Sequence, residues 1–103
     1  MAKWVRVAAL TEIPQGACLE RVAGDRLVAL FNVEGTLYAL DGVCPHQGGP
    51  LGKGCLDGAV VTCPWHGWQF DVRTGKHQVS RTIEQPQFNV RVEAGDVLVE
   101  LES

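Results

Sequence analysis

The sequence predicts an all-β protein, a small antiparallel β-sandwich or open barrel built from short strands. Three observations lead to this fold class. Short segments in which large apolar residues alternate with small or charged ones recur along the chain, as in half-buried strands. Gly, Pro and Asp residues separate these segments at short intervals. No segment repeats its apolar residues every 3.6 positions, as an amphipathic helix would.

Four strands are predicted in the first part of the chain. The first runs from Trp4 to Ala8 and ends at a loop that contains Pro14 and Gly16. Turns at Ala23-Gly24-Asp25 and at Glu34-Gly35 then connect three more strands, so that an antiparallel meander is expected over residues 17–22, 26–33 and 36–40.

Two further hairpins are predicted near the C-terminus. A Thr74-Gly75 turn joins segments 69–73 and 76–79, and an Ala94-Gly95 turn joins segments 88–93 and 96–101. With 103 residues and neither a linker nor a shift in composition, the chain is expected to be a single domain, 1–103.

Composition and charge narrow the possible functions. The chain is 46% hydrophobic and 20% charged, which is ordinary for a globular protein. A net charge of -3 argues against a nucleic-acid partner, which would require a basic surface. Lys3 and Arg6 interrupt the N-terminus, so no signal peptide is expected, and no apolar run approaches a membrane span of about 18 residues. We therefore expect a cytoplasmic monomer without a membrane partner, whose Cys residues bind metal rather than form disulfides.

The candidate site consists of two short groups of potential metal ligands, Cys44-Pro45-His46 and Cys63-Pro64-Trp65-His66, with sixteen residues between them. Two thiolates and two imidazoles could hold a tetrahedral zinc ion. A zinc finger usually has both Cys on one knuckle and both His on a following helix, whereas each group here contains one of each. Mixed pairs suit a [2Fe–2S] cluster in which two His replace two Cys on one iron.

The residues around these ligands extend the pattern. The segments Cys44-Pro45-His46-Gln47-Gly48-Gly49 and 63–71 resemble the cluster-binding loops of Rieske proteins. The resemblance implies one [2Fe–2S] cluster, with Cys44 and Cys63 on one iron and His46 and His66 on the other. It also implies a Rieske-like fold in which a cluster-binding subdomain, with its loops at about 43–71, is inserted at one end. In the family a third loop covers the cluster, and Pro86 is in the right order to belong to it.

The chain as a whole resembles the small Rieske ferredoxins of multicomponent aromatic-ring dioxygenases. This implies a one-electron carrier between an NAD(P)H-dependent flavin reductase and a terminal oxygenase, with catalysis in the partner. Once His46 and His66 bind the cluster only His77 remains, too few for the mononuclear iron site of an oxygenase. Two alternatives stay open: the small Rieske subunit of an assimilatory nitrite reductase, and a Cys2His2 zinc module that binds other proteins.

Docking is expected at the tip that carries the ligands, around His46, Gln47, Pro50, Trp65 and His66. Trp65 and Trp68 flank a ligand, so we expect them to shield the cluster from water. Cys18 and Cys55 are predicted to be small buried apolar residues. His77, which lies between polar residues, is predicted to be a solvated surface imidazole.

The resemblance also predicts a low reduction potential. In high-potential Rieske relatives a disulfide joins the two cluster loops, but Gly49 and Trp65 stand at those positions here. Those relatives also place Ser and Tyr hydroxyls against the cluster sulfurs, where this chain has Trp68 and Phe70. Hydrogen bonds to sulfur raise the potential, so without them we expect a value near about -150 mV.

Overall fold

A computed structural model describes residues 2–43, 49–65, 67–80 and 82–102. Its strands are β1 (Ala2–Ala9), β2 (Cys18–Ala23), β3 (Arg26–Val33), β4 (Thr36–Asp41), β5 (Cys55–Asp57), β6 (Val60–Thr62), β7 (Gln69–Asp71), β8 (Gln87–Phe88), β9 (Val90–Glu93) and β10 (Asp96–Glu102). Two 3₁₀ turns, at Leu10–Glu12 and Leu51–Lys53, complete the elements. The described residues contain no α-helix, which confirms the all-β prediction.

The strands form three antiparallel sheets. The first sheet has the order β1-β10-β9, the second β2-β3-β4-β8 and the third β5-β6-β7. The predicted meander is confirmed as β2, β3 and β4, which pair in chain order with Ala23 opposite Arg26 and Val33 opposite Thr36. The first sheet closes the N-terminal strand against the C-terminal one, so the two ends of the chain lie side by side.

Strand β3 lies at the centre of the packing because both of its faces are covered. Side chains alternate between the two faces of a strand, so Val28 and Leu30 face one core while Ala29 and Phe31 face the other. All four are fully buried. Because both faces are buried, the central part of β3 is a continuous apolar run and does not alternate between apolar and polar residues.

The two hydrophobic cores join different pairs of sheets. One core packs the second sheet against the first and includes Val7, Ile13, Val97 and Val99. The other packs the second sheet against the third sheet and its loops; its buried members are Ala29, Phe31, Leu40, Leu51, Val61, Cys63, Phe70 and Val72. A predicted ligand, Cys63, is therefore part of the second core. The third sheet is the predicted subdomain at one end of the fold.

Three details differ from the sequence prediction. The hairpin of β5 and β6 was not expected, because strands of three residues are too short to show a period of two. Residues 76–79 form no second strand and take part only in two isolated bridges, Phe70 with His77 and Lys76 with Glu84. Phe88 pairs with Ala39 of β4 instead of extending the last hairpin, so the predicted strand 88–93 is split between two sheets.

Within the described ranges, no helix has the length and apolar character needed to cross a bilayer.

Candidate metal centre

The predicted ligands are not all within the described part of the chain. Cys63 lies there, directly after β6. Cys44, His46 and His66 lie outside the described residues, as do Gln47 and Gly48. Among the residues that are described, no group of three or more His, Cys, Asp and Glu side chains could hold a metal ion. The site is therefore built here from Cys63 and from the described residues that frame the two loops.

Cys63 begins the second loop in a fixed geometry. Its side chain is buried, with 1% relative exposure, and forms no disulfide. Its backbone N–H donates a hydrogen bond of 2.8 Å to the carbonyl oxygen of Trp68. The loop from Cys63 to Trp68 is thus closed at its base, directly above the pairing of Thr62 with Gln69.

The first of the two predicted cluster-binding loops, residues 44–49, ends at Gly49, which lies directly against the thiol of Cys63. A Cβ atom on Gly49 would come within 2.8 Å of Sγ of Cys63 and within 2.9 Å of Cβ of Trp65. Real Cβ atoms do not approach other atoms so closely, so only glycine fits between the two loops at this point. The backbone of Gly49 therefore passes next to the sulfur of Cys63.

The base of the first loop is also held by backbone contacts. Val43 and Pro50 form an isolated bridge. The N–H of Leu51 donates to the carbonyl of Gly42 at 2.9 Å, and the N–H of Gly42 donates to the carbonyl of Leu27 at 2.9 Å. The first loop thus leaves the end of β4 and returns to the 3₁₀ turn, with Leu51 anchored in the second core.

Gln85 locks the entry to the first loop, and sequence reasoning missed it. It is buried, with 2% exposure, and its Nε2 donates to the carbonyls of Asp41 and Val43, each at 2.6 Å. Pro86, the residue expected in a covering loop, is exposed, and its carbonyl accepts the N–H of Asp41 at 2.8 Å. That this segment covers the cluster stays a prediction. A Gln immediately before the proline was the only signal in the sequence.

The two tryptophans have different environments. Trp65 is 50% exposed at the second loop and lies over Gly49. Trp68 is half-buried and packs against the second core. Its ring contacts those of Phe70, at 6.5 Å between centroids, and His77, at 4.7 Å. Trp65 therefore lies at the surface of the loop in contact with Gly49, whereas Trp68 anchors the loop to the second core.

The prediction that His77 is a solvated imidazole was wrong. The side chain is partly buried, and its Nε2 atom is buried without a hydrogen-bond partner among the described residues. The ring packs edge-on against Trp68 and Phe70. The polar neighbours of His77 in the sequence suggested exposure, but antiparallel pairing with Phe70 turns the side chain toward the core.

The two remaining cysteines lie away from this site. Both line a surface cleft of about 580 Å³ between β2 and β5. Cys18 is partly buried, and burial, followed by repulsion from Cys55, raises its pKa to about 11. Cys55 is exposed, so the prediction that it is buried was wrong; it stands at the start of a short strand at the edge of the third sheet.

The electrostatics at the end of β7 are set by a local ion pair. Asp71 accepts hydrogen bonds from the backbone N–H and the Nε of Arg73 at 2.9 and 3.1 Å, and from its Nη2 at 2.9 Å. The side-chain hydrogen bond from Arg73 is the largest cause that lowers the pKa of Asp71. The charged carboxylate thereby fixes the turn that follows the second loop.

These features fit a metal–sulfur centre. Cys63 offers a buried thiol with no other described partner, and Gly49 leaves room beside its sulfur that a side chain would fill. The described part of the chain thus shows an all-β scaffold in which the ends of two loops meet at a buried thiol, an arrangement typical of a small metal-binding domain.

Comparison with known proteins identifies the family. Residues 3–93 match the model of the Rieske [2Fe-2S] domain, so the chain belongs to the Rieske family and carries one [2Fe–2S] cluster of the Rieske type. The chain is 34% identical to the ferredoxin component of the naphthalene 1,2-dioxygenase system of Pseudomonas aeruginosa, over 96% of both chains.

Solved structures support the same assignment. A chain in the complex of reduced oxygenase and oxidised ferredoxin in carbazole 1,9a-dioxygenase is 33% identical, with a TM-score of 0.84 and coverage of 93% of this chain and 91% of that chain. The putative NADH-dependent nitrite reductase small subunit from Mycobacterium tuberculosis has a TM-score of 0.89, covering 100% of this chain and 98% of that chain. Its 22% identity shows the shared fold alone.

Proposed function

We propose that this chain is the ferredoxin component of an aromatic-ring dioxygenase system, and that it passes single electrons from an NAD(P)H-dependent flavin reductase to a terminal ring-hydroxylating oxygenase. The observation that carries this proposal is the 34% identity to a dioxygenase ferredoxin component across 96% of both chains. The chain is an electron-transfer component, and catalysis belongs to the oxygenase.

Four residues are proposed to hold the cluster: Cys44 and Cys63 on one iron, His46 and His66 on the other. The bound cluster supplies a one-electron couple. Support comes from Cys63, whose thiol is buried beside Gly49 and whose N–H is tied to Trp68 at 2.8 Å. A preorganised ligand needs little rearrangement when the charge on the centre changes, which favours rapid electron transfer.

The proposed docking face consists of His46, Gln47, Pro50, Trp65 and His66. Two of these residues are described: Pro50 is partly exposed, and Trp65 is 50% exposed where it lies over Gly49. Exposed aromatic side chains are frequent anchors at protein interfaces. A contact centred on this tip would bring the partner closest to the cluster, and transient redox contacts are small, below about 1,200 Å².

The domain and its location complete the proposal. Residues 1–103 form a single domain with the cluster-binding loops at about 43–71. The protein acts in the cytoplasm, where its reductase finds NAD(P)H. Cys18 and Cys55, which are not proposed as ligands, form no disulfide, as is usual in a reducing compartment.

The two alternatives are less well supported. The nitrite reductase small subunit shares the fold at 22% identity, below the 33–34% identity to the dioxygenase proteins. A zinc module is opposed by the match of residues 3–93 to a [2Fe-2S] domain.

The test is stopped-flow reoxidation of the reduced protein by a terminal ring-hydroxylating oxygenase, with the large subunit of an assimilatory nitrite reductase as the competing acceptor. Rapid reoxidation by the oxygenase alone is the expected result. Reoxidation by the nitrite reductase alone would overturn the proposal. Trp65→Ala should weaken saturation by the oxygenase, whereas Val92→Ala, an exposed apolar control on β9, should not.

A further inference from the structure

His77 makes two sets of contacts that no single other side chain could make. Its Nδ1 accepts the backbone N–H of Val79 at 3.1 Å and that of Ser80 at 3.0 Å. The same ring packs edge-on against Trp68, at 4.7 Å between centroids and 87°, and against Phe70, at 5.3 Å and 86°. The first set fixes the turn at 77–80, and the second set contacts the second cluster loop and its strand.

The hydrogen bonds determine which nitrogen carries the proton. A nitrogen that accepts two N–H groups has no proton of its own, so a neutral His77 is protonated at Nε2. That Nε2 is buried without a partner among the described residues. An unpaired buried donor costs free energy, although an N–H can be partly compensated by an aromatic face. The buried, unpaired Nε2 therefore offsets part of the stabilisation that the two sets of contacts supply.

Smaller or apolar replacements would supply only half of this arrangement. Asn commonly accepts the N–H groups two and three residues later, so it could fix the same turn, but it has no ring. Phe could fill the ring site but accepts no hydrogen bond. His77 alone joins the turn at 77–80 to the aromatic pair Trp68 and Phe70.

The aromatic pair leads directly to a predicted ligand. The carbonyl of Trp68 accepts the N–H of Cys63 at 2.8 Å, which closes the second loop. Phe70 and Cys63 are both buried in the second core. Gln78 donates its N–H to the carbonyl of Gln69 at 2.9 Å, so the turn at 77–80 runs beside the same loop.

We propose that His77 is a positioning residue for electron transfer: its ring fixes Trp68, and through Trp68 the backbone of Cys63, while its Nδ1 fixes the adjoining turn at 77–80. This rests on Cys63 being a cluster ligand, as proposed above. It does not depend on which partner receives the electron.

Two variants separate the two sets of contacts. In His77→Phe, amide hydrogen exchange at Val79 and Ser80 should accelerate by about fivefold or more, the factor expected when a net hydrogen bond is lost. The visible circular dichroism of the cluster should stay unchanged, because the ring site is still filled. In His77→Asn the pattern should reverse: exchange at Val79 and Ser80 stays slow, while exchange at Cys63 accelerates and the cluster dichroism changes.

Two results would overturn the proposal. One is an unchanged cluster spectrum and unchanged Cys63 exchange in His77→Asn; the other is unchanged exchange at Val79 and Ser80 in His77→Phe. If either variant fails to fold, a long-range proton–nitrogen correlation spectrum of the wild-type protein still decides: we expect a proton on Nε2, and a proton on Nδ1 would refute the arrangement. None of these measurements uses the oxygenase, so they stand apart from the test of the proposed function.

Discussion

The backbone of Gly49 lies so close to Cys63 that a Cβ atom at residue 49 would stand 2.8 Å from the Sγ atom. This contact joins the end of the first loop to the start of the second at the sulfur itself. In high-potential Rieske relatives a disulfide links the two positions that Gly49 and Trp65 occupy here. In this chain the two residues are in close contact, since a Cβ atom added to Gly49 would lie 2.9 Å from Cβ of Trp65. Close packing between Gly49 and Trp65 thus replaces the disulfide of those relatives.

Gly49→Ala should therefore weaken cluster binding. The added methyl group must displace Sγ of Cys63 or the Trp65 side chain, and overpacking of this kind costs about 1–3 kcal/mol. We expect iron release to a chelator to accelerate by about tenfold, equivalent to about 1.4 kcal/mol. Gly58→Ala is the matched control, because Gly58 has a φ of 61° and no other atom within 4 Å of an added Cβ, so its substitution strains the backbone without contacting the sulfur. Equal release rates in the two variants would contradict the account.

Gln85→Glu should destabilise the base of the first loop. The substitution replaces the Nε2 donor with a carboxylate oxygen that faces the carbonyls of Asp41 and Val43. Losing the donor to buried carbonyls costs about 1–3 kcal/mol, and each kcal/mol lowers the unfolding midpoint by about 4–8 °C in a domain of this size. The control is Gln87→Glu, at an exposed Gln whose Nε2 donates to the carbonyl of Arg73. Equal unfolding midpoints for Gln85→Glu and Gln87→Glu would show that the hydrogen bonds of Gln85 to the carbonyls of Asp41 and Val43 do not stabilise the loop.

The four cysteines should differ in their reactivity with a maleimide. Cys55 is exposed and should react first in the holoprotein. The pKa of Cys18 is raised to about 11 from 9.0 by burial, so at a given pH it is ionised to about a hundredth of the ordinary extent and should react slowly. Cys44 and Cys63 should react only after the iron is removed. Peptide mapping by mass spectrometry reads out all four sites, and modification of Cys63 while the cluster is intact would contradict its role as a ligand.

Stability should depend on the charge of Asp71 in acid. Because the Arg73 contacts lower the folded-state pKa of Asp71, the contribution of its carboxylate is fully present above the ordinary carboxyl pKa of 3.8 and is lost as the pH falls through the lowered value. The difference in unfolding midpoint between the wild type and Asp71→Asn should be constant from pH 7 to pH 5, within about 0.5 °C, and should shrink below about pH 4. Arg73→Ala should show the same pH dependence of the difference in unfolding midpoint. A difference in midpoint that grows as the pH falls would contradict the lowered pKa of Asp71.

Sequence reasoning succeeded where the signal is local. The meander follows from turn residues at Gly24 and Gly35, and both have positive φ, 63° and 92°. The two ligand groups are short motifs in which residue type and spacing are sufficient to identify the family. The β5–β6 hairpin was missed, although Gly58, with a φ of 61°, stands at its turn.

Long-range packing explains what could not be predicted. Gln85 contacts carbonyls 44 and 42 residues earlier in the chain, and no local pattern marks such a contact. His77 lies in a polar segment, and only the bridge to Phe70 shows that its ring faces the core. Both residues make tertiary contacts that are visible only once the sheets are assembled. All four ligand assignments, Cys44, His46, Cys63 and His66, stay predictions, and only Cys63 lies within the described residues.

A redox titration of the purified protein, followed by the visible spectrum of the cluster, measures whether this chain carries a low-potential Rieske centre. We expect a single one-electron transition near about -150 mV, the low end for Rieske centres, because the disulfide and the two hydroxyls associated with high potential are replaced by Gly49, Trp65, Trp68 and Phe70. Phe70 is fully buried and Trp68 packs beside it, so both positions are filled by apolar rings. The absence of a one-electron transition, or a potential above about +100 mV in the upper part of the Rieske range, would contradict the assignment as a dioxygenase ferredoxin.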